Sequence, residues 1–216
     1  MEPPAPRSSR ARARRRGDRG LGERGLAEGR KNARCRNAWI CSQDESGFSL
    51  LPSVRAIWAP KGRAPALHHR FSWKRLSMSG VLGYAPDGSD AWLVFAMRPG
   101  ACNEESLIEF LTGLRDELVG AKCRLLWDGL PSHRSKAMRA FLETQHHWLV
   151  VEQLPGYAHD LNPMDLVWGN LKSSELADLC PDAIDDVAQV AEAGLDRIGS
   201  DSLLCLAFLH HTGLSL

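Results

Sequence analysis

Two hydrophobic periodicities follow one another along the chain after residue 37, and their order limits the possible folds more than any other feature. Three apolar segments of strand length come first, and single strands then alternate with helical patterns. The five strand segments are AWICSQDESGFSLLP from residue 38, RLSMSGVLGYAPDG from 75, SDAWLVFAMRPG from 89, KCRLLWDG from 122 and WLVVEQLP from 148. An antiparallel meander followed by alternating helices and strands predicts a mixed α/β sheet with helices covering its faces.

Polar residues, prolines and glycines mark the ends of these elements. The first strand is predicted to end at the polar residues 43–45, and Pro-Asp-Gly at 86–88 is predicted to form the turn between the next two strands. The predicted helices, three with an N-cap residue, cover 103–120 (cap Asn103), 132–145 (cap Ser132), the segment that begins at Asn162-Pro163, 182–198 and 200–211.

Composition indicates one domain with a tail. A chain of 216 residues with 44% hydrophobic residues can bury a core. No uncharged apolar run approaches the roughly 18 residues that a membrane span needs. The six cysteines form no C-x-x-C pair, so reduced thiols in a cytosol are expected.

Charge divides the chain into two unlike segments. Residues 1–37 contain twelve Lys/Arg and four Asp/Glu, a net charge of +8, whereas the remainder has a net charge of −7. The first segment is rich in Arg, Gly, Ala and Pro and is predicted to be a disordered arm; residues 38–216 form the predicted domain. Two interpretations of the arm stay open: a DNA-binding tail, or GC-rich DNA translated in an unintended frame or from a wrong start.

Three aspartates occupy positions where separate elements could bring them together. Asp44 and Asp128 each follow an apolar strand segment, and Asp165 lies in the first turn of the helix that Asn162-Pro163 begins. Each alone is more often a turn, cap or helix-dipole residue. Together, three hard oxygen ligands suit Mg²⁺ or Mn²⁺, and two such ions about 4 Å apart can promote phosphodiester chemistry.

The three aspartates lie in blocks with a specific resemblance. QDESGFSLLPSVRAIWAPKG, LLWDGLPSHRSKAMRAFL and VVEQLPGYAHDLNPMDLVWGNLK resemble the three blocks of a DDE-type transposase, most closely the insertion-sequence branch of the Tc/mariner superfamily. The likeness runs from about Ala38 to the C-terminus. It implies a ribonuclease-H-like fold of the retroviral-integrase type, with a mixed five-stranded sheet flanked by helices.

The resemblance also implies an activity and its residues. It implies DNA strand cleavage and strand transfer with two Mg²⁺ or Mn²⁺ ions, for which Asp44, Asp128 and Asp165 would be both the catalytic residues and the metal ligands. The third position is usually Glu in this branch and Asp in mariner-like relatives. The helix-turn-helix segments that family members carry ahead of the catalytic domain are replaced here by the Arg-rich arm.

Basic residues near these blocks are candidate DNA contacts. No acidic residue occurs from Ser46 to Pro86, where basic residues alternate with aromatic ones. Two basic side chains follow Asp128 closely, and another lies two helical turns beyond Asp165. The candidates are Arg55, Lys61, Arg63, Arg70, Lys74, Arg75, His133, Arg134 and Lys172. A solvated basic hairpin, a helix-cap loop and a snorkelling lysine are the competing interpretations.

The expected partner is double-stranded DNA, both the terminal inverted repeats of a transposon and the target. We also expect a homo-oligomer on DNA, a separate helix-turn-helix protein from an adjacent reading frame, and a bacterial cytosolic, nucleoid-associated location without a membrane. Two alternatives stay open: a ribonuclease-H-like nuclease that does not transpose, and a truncated transposase that binds DNA without cutting it.

Overall fold

The structure, a computed structural model, describes residues 38–50, 61, 74–155 and 161–213. The predicted Arg-rich arm, residues 1–37, lies outside the described residues. No helix within the described ranges is both long enough and apolar enough to cross a membrane.

Five strands form one mixed sheet, as the order of the elements predicted. They are β1 (Ala38–Ser49), β2 (Arg75–Tyr84), β3 (Ala91–Pro99), β4 (Lys122–Trp127) and β5 (Leu149–Gln153). The spatial order is β3-β2-β1-β4-β5. β1, β2 and β3 pair antiparallel, while β4 and β5 extend the sheet with parallel pairing on the other side of β1.

Five helices flank this sheet in the described part of the chain. They are α1 (Glu104–Glu117), α2 (Lys136–Gln145), α3 (Pro163–Ser174), α4 (Ile184–Gly199) and α5 (Ser202–His211). A short 3₁₀ turn, Ser132–Arg134, precedes α2. Each predicted helix is therefore present, with ends that differ by a few residues from the predicted ones.

The N-caps follow the prediction at two helices and depart from it at one. Asn103 and Asn162 cap α1 and α3, accepting hydrogen bonds from the backbone N–H groups of Ser106 and Met164. Ser132 was predicted to cap α2, but Ser135 does so. Backbone hydrogen bonds among residues 130–135 form tight turns, so the regular helix begins only after these residues.

The first strand is longer than the sequence predicted. The polar residues 43–45 were expected to end it, yet β1 continues to Ser49. Antiparallel pairing with β2 supplies the reason: Asp44 pairs with Gly80, and the ladder runs on to the pair of Ser49 with Arg75. Backbone hydrogen bonds of this ladder hold the segment extended whatever the polarity of its side chains.

Alternation along β1 sends its side chains into two separate cores. Ile40 and Phe48 pack on the first face with the apolar stripes of α3, α4 and α5. Cys41 packs on the second face with α1 and α2. Because successive strand residues point to opposite faces, Asp44 belongs to the first face and Glu45 to the second.

Candidate active site

Asp44, inside β1, and Asp128, just after the end of the neighbouring β4, lie at the same level of the sheet. The parallel pairing of β1 with β4 reaches Ser42 and Leu126, and each aspartate lies two residues further along its own segment. Leu126 belongs to the first-face core, as Ile40 does. Strand alternation therefore directs Asp44 and Asp128 to one face, where the parallel pairing of β1 with β4 ends; α/β sheets commonly bind ligands at such positions.

The start of α3 is tied to β1 beside Asp44. Asn162 accepts a hydrogen bond from the backbone N–H of Met164, and its Nδ2 donates to the backbone oxygen of Gln43 at 3.3 Å. Pro163 occupies the first turn, where its missing N–H costs no helical bond. Asp165 follows in that turn with an exposed side chain, so a third carboxylate faces outward at the same sheet edge.

A tryptophan of α3 holds the Asp44 carboxylate directly. Trp168 is 4% exposed and packs in the first-face core, yet its Nε1–H donates to Asp44 Oδ2 at 3.0 Å. The lack of a side chain at Gly80 allows Trp168 to pack this close to β2, since a Cβ there would lie 2.6 Å from Met164 Cε and 3.0 Å from the Trp168 ring. The prediction that Trp168 is a core residue is confirmed, and the contact with Asp44 is an additional role.

The acidic side chains interact electrostatically. Burial raises the pKa of Asp44 most, the charges of Asp165, Glu45 and Asp128 raise it further, and a backbone hydrogen bond opposes them, with a result of about 7. Like charges that share a site disfavour each other's ionised form. Asp44 thus lies within the field of both other predicted site aspartates, although the three come from distant parts of the sequence.

The donor chemistry of this edge fits a hard divalent cation. Three aspartates offer oxygen ligands, and a cation would relieve the repulsion that raises the Asp44 pKa. Within residues 38–50, 61, 74–155 and 161–213, no group of three or more His, Cys, Asp or Glu side chains is arranged to hold a metal ion. Mg²⁺ does not require such a group, because it is usually bound through one or two carboxylates and keeps several waters.

The raised pKa predicts that the metal-free protein loses stability as the pH rises. Asp44 has a higher pKa in the folded chain, about 7, than its ordinary value of 3.8, so its stabilising protonated form is lost between about pH 4 and 7. We expect Asp44→Asn to raise the free energy of unfolding at pH 8 by about 2 kcal/mol, with little difference near pH 4. Thermal unfolding of both proteins in EDTA at pH 4 and at pH 8 tests this prediction.

The exposed Asp196 on α4 provides a matched control, since Asp196→Asn removes a carboxylate remote from the site. The unfolding temperature of Asp196→Asn should differ little from that of wild type, and by the same amount at pH 4 and at pH 8. An Asp44→Asn variant that is no more stable than wild type at pH 8 would contradict the electrostatic interpretation.

His133 is buried, which corrects its predicted role as a DNA contact. Its side chain is 1% exposed and stacks on the Trp127 ring with centroids 4.2 Å apart. Nδ1 lies 2.9 Å from the Asp128 backbone oxygen, and Nε2 lies 3.2 Å from Glu45 Oε1. Burial lowers the pKa of His133, but these hydrogen bonds and the two acidic charges outweigh it, so the net pKa is raised. An imidazole enclosed in this way is not available to a phosphate.

The other residues predicted to contact DNA differ in exposure and in their distance along the fold from the three aspartates. Lys61, Lys74, Arg75 and Arg134 are exposed. Arg75 pairs with Ser49, five residues beyond Asp44 on β1, so Lys74 and Arg75 lie toward the carboxyl end of β1. Lys172 donates to Ser46 Oγ at 2.9 Å and lies over the Phe48 ring, beside Asp44 on the first face. Arg55, Arg63 and Arg70 lie outside the described residues.

Glu45 was not predicted as part of the site. It follows Asp44 directly, and strand alternation places it on the opposite face, where it contacts His133. A sequence signal existed in part: a histidine five residues after an expected ligand is close enough to fold back onto it. The contact with Glu45 depends on a separation of 88 residues and has no local signature.

The strand order and the helices on both faces define a ribonuclease-H-like α/β protein with an acidic edge, which confirms the predicted fold class. A family model described as DDE superfamily endonuclease matches residues 39–185, more than half of the chain. The chain therefore belongs to the DDE superfamily endonucleases, as its three sequence blocks indicated. Comparison with curated proteins finds no match.

Solved structures of the Mos1 transposase share this fold. The Mos1 mariner paired-end complex with Mn matches with a TM-score of 0.64 at 20% identity, covering 98% of this chain and 62% of that one. The Mos1 strand transfer complex matches with 0.63 at 19% identity, covering 98% and 61%. The Mos1 catalytic domain with Raltegravir and Mg matches with 0.52 at 17% identity, covering 98% and 100%. This chain thus spans about three fifths of the Mos1 chains in the first two complexes.

Proposed function

We propose that residues 38–216 form the catalytic domain of a transposase, which cleaves DNA at transposon ends and transfers the strand with two divalent metal ions. Asp44, Asp128 and Asp165 are its proposed catalytic residues and metal ligands. One observation carries the proposal: at one sheet edge the Asp44 carboxyl is buried and lies in the field of Asp165, Glu45 and Asp128, and burial first and these charges second raise its pKa to about 7. Membership of an endonuclease family supports the same reaction class.

The protein's own groups prepare this edge for the reaction. Trp168 orients Asp44, and the N–H of Leu130 donates to Asp128 Oδ1 at 3.1 Å, so two carboxylates are held in defined directions. Asp165 is exposed in the first turn of α3, where it can face a scissile phosphate. When bound, Mg²⁺ or Mn²⁺ activates a water or a 3′-hydroxyl and stabilises the leaving oxygen. Complexes of Mos1 with Mn or Mg support the choice of ion.

Double-stranded DNA is the proposed partner, and solved complexes of Mos1 support it. They include a paired-end complex with a left transposon end and a strand transfer complex. We infer by analogy that this protein binds terminal repeats and target DNA as a homo-oligomer, in the cytosol at the nucleoid. Lys61, Lys74, Arg75 and Arg134 are exposed and can contact phosphates, with Lys172 nearer the site. A helix-turn-helix protein from an adjacent frame, together with the Arg-rich arm, would add end recognition.

Nicking of supercoiled plasmid tests the proposed reaction. The purified chain is incubated with plasmid in Mn²⁺, Mg²⁺ or EDTA, and in parallel with an RNA–DNA hybrid. Metal-dependent nicking of the plasmid is expected. Cleavage of the hybrid alone would favour a ribonuclease-H-like nuclease, and a folded protein that binds DNA but cuts neither substrate would favour a transposase remnant.

The third carboxylate should tolerate a longer side chain. Asp165 is exposed, and Glu is usual at this position in the branch that the sequence resembles, so space for one more methylene is expected. We expect Asp165→Glu to keep or raise the nicking rate, within about threefold of wild type or above it, whereas Asp165→Ala should lose activity because the ligand is removed. A folded but inactive Asp165→Glu would count against Asp165 as a ligand.

A further inference from the structure

His133 occupies a closed position directly behind Asp128. Its imidazole is parallel to the Trp127 ring, with 6° between the planes and 4.2 Å between the centroids. The side chain is 1% exposed, so it has no freedom to turn toward solvent. Stacking fixes the plane of the ring, and the directions of its two nitrogens then follow from that plane.

One ring nitrogen fixes one oxygen of Asp128. Nδ1 lies 3.0 Å from Asp128 Oδ1 and 2.9 Å from the backbone oxygen of the same residue. The backbone N–H of Leu130 donates to the same Oδ1 at 3.1 Å. The Leu130 N–H donates to Oδ1 and His133 Nδ1 lies close to the same oxygen, so Oδ2 is the oxygen that can face a cation at the sheet edge. A carboxylate fixed in this way loses less freedom when it binds an ion.

The other ring nitrogen is held from β1. Nε2 lies 3.2 Å from Oε1 of Glu45, whose side chain is 11% exposed. The second oxygen of Glu45, Oε2, is buried and has no hydrogen-bond partner among the described residues, so in this part of the chain the carboxylate is paired through Oε1 with His133. A buried carboxylate is costly unless it is paired, which indicates that this contact has a use beyond packing. β1 therefore carries Asp44 on one face of the sheet. On the other face it carries Glu45, whose contact with His133 supports Asp128.

We propose that His133 is a positioning residue, held by Glu45 and Trp127, that orients Asp128 so that Oδ2 faces the metal ion. The inference rests on the proposed function, because it assigns a partner to one of its three ligands. It changes the role of His133 from a phosphate contact to a support of the metal site, and it adds Glu45 to that support. Outer-shell partners of this type commonly change metal affinity by about 10–100-fold when they are removed.

Binding of Mn²⁺ alone, without DNA, tests this proposal. Free Mn²⁺ is followed by electron paramagnetic resonance in titrations of the full chain, and folding is checked for each variant by circular dichroism and thermal unfolding. We expect His133→Ala to weaken Mn²⁺ binding by about 10–100-fold. His133→Gln should recover part of the loss, since its amide can donate to Asp128. His146→Ala is the matched control, because His146 is exposed at the end of α2, and it should bind as wild type does.

A double-mutant cycle identifies the route through Glu45. If Glu45 acts through His133, Glu45→Ala weakens Mn²⁺ binding, but adding it to His133→Ala produces no further loss. If Glu45 ligates the ion itself, the two losses add, and the proposed arrangement is wrong. The cycle is measured with His133→Gln should His133→Ala fail to fold.

The outcomes separate this inference from the proposed function. Asp128→Asn must weaken Mn²⁺ binding; if wild type and Asp128→Asn bind alike, the metal site itself is wrong. If Asp128→Asn weakens binding while folded His133→Ala and His133→Gln stay within about threefold of wild type, the metal site stands and the positioning role of His133 is refuted. A variant that loses thermal stability but binds Mn²⁺ normally would likewise show a structural role alone.

Discussion

Asp128→Asn should reduce metal-dependent nicking of supercoiled plasmid by about 1,000-fold or more while leaving the fold unchanged. Such a loss corresponds to about 4 kcal/mol of transition-state stabilisation, a magnitude that removal of a metal ligand can explain. The substitution is nearly isosteric: the Asn carbonyl can still accept from the N–H of Leu130, and the hydrogen bond of His133 Nδ1 is to the backbone oxygen of residue 128, which the substitution leaves in place. The change therefore removes the negative charge rather than the local structure. Initial nicking rates in Mn²⁺ and Mg²⁺ measure it.

Asp116→Asn is the control for this substitution. Asp116 is exposed on α1, which packs on the second face of the sheet, away from the three aspartates. Its nicking rate should stay within about twofold of wild type, since surface changes remote from a site have small effects. Nicking by Asp128→Asn at the wild-type rate would remove Asp128 from the site. Nicking lost equally in both variants would indicate that general charge, not the proposed ligand, is being measured.

Gly80→Ala should destabilise the domain and reduce nicking beyond the effect of stability. The new Cβ would lie 2.6 Å from Met164 Cε and 3.0–3.1 Å from the Trp168 ring, so α3 must shift away from β2 or its side chains must leave their rotamers. Overpacking of this type costs about 1–3 kcal/mol, or roughly 2–10 °C in Tm at this chain length. Trp168 also orients Asp44, and Asp165 lies one turn before it on α3, so displacement of the helix disturbs two site carboxylates together.

Gly47→Ala isolates this packing effect. Gly47 lies on β1 in the same sheet, but a Cβ there would meet no atom of the described residues within 4 Å. The free energy of unfolding should change by less than about 0.5 kcal/mol, and nicking should be retained. Equal stability losses in the two variants would show that a glycine in the strand, and not the contact with α3, accounts for the result. A Gly80→Ala protein with normal Tm and activity would show that Met164 and Trp168 rearrange without strain.

The order of elements and the candidate ligands could be predicted because both depend on short-range signals. Apolar periodicity identified the strands and helices, and Asn162-Pro163 identified the start of α3, so Asp165 could be assigned to its first turn. The end of β1 was predicted too early. Polar residues suggested a stop, but pairing with β2 extends the strand to Ser49, and that pairing joins segments more than twenty residues apart.

The cap of α2 and the role of His133 were both predicted wrongly, the first because of local backbone turns and the second because of long-range packing. Ser132 has the side chain of a cap, but the backbone turns before Ser135 place the regular helix later. His133 has the chemistry of a phosphate contact, yet stacking on Trp127 and the bond to Glu45 bury it. The chemistry of a side chain limits which hydrogen bonds and contacts are possible, whereas the packing around it determines which of them form.

The amino-acid sequence alone determined which elements form and in which order, and it identified three candidate carboxylates, because propensity, periodicity and capping act over a few residues. Only the tertiary structure decided which face of the sheet each side chain occupies and which distant groups it meets. Burial and the charges of Asp165, Glu45 and Asp128 raise the pKa of Asp44, and Asp128 is supported by Glu45 through His133. These are interactions through space between separate segments, and their energies depend on distances that exist only once β1, β4 and α3 have packed together.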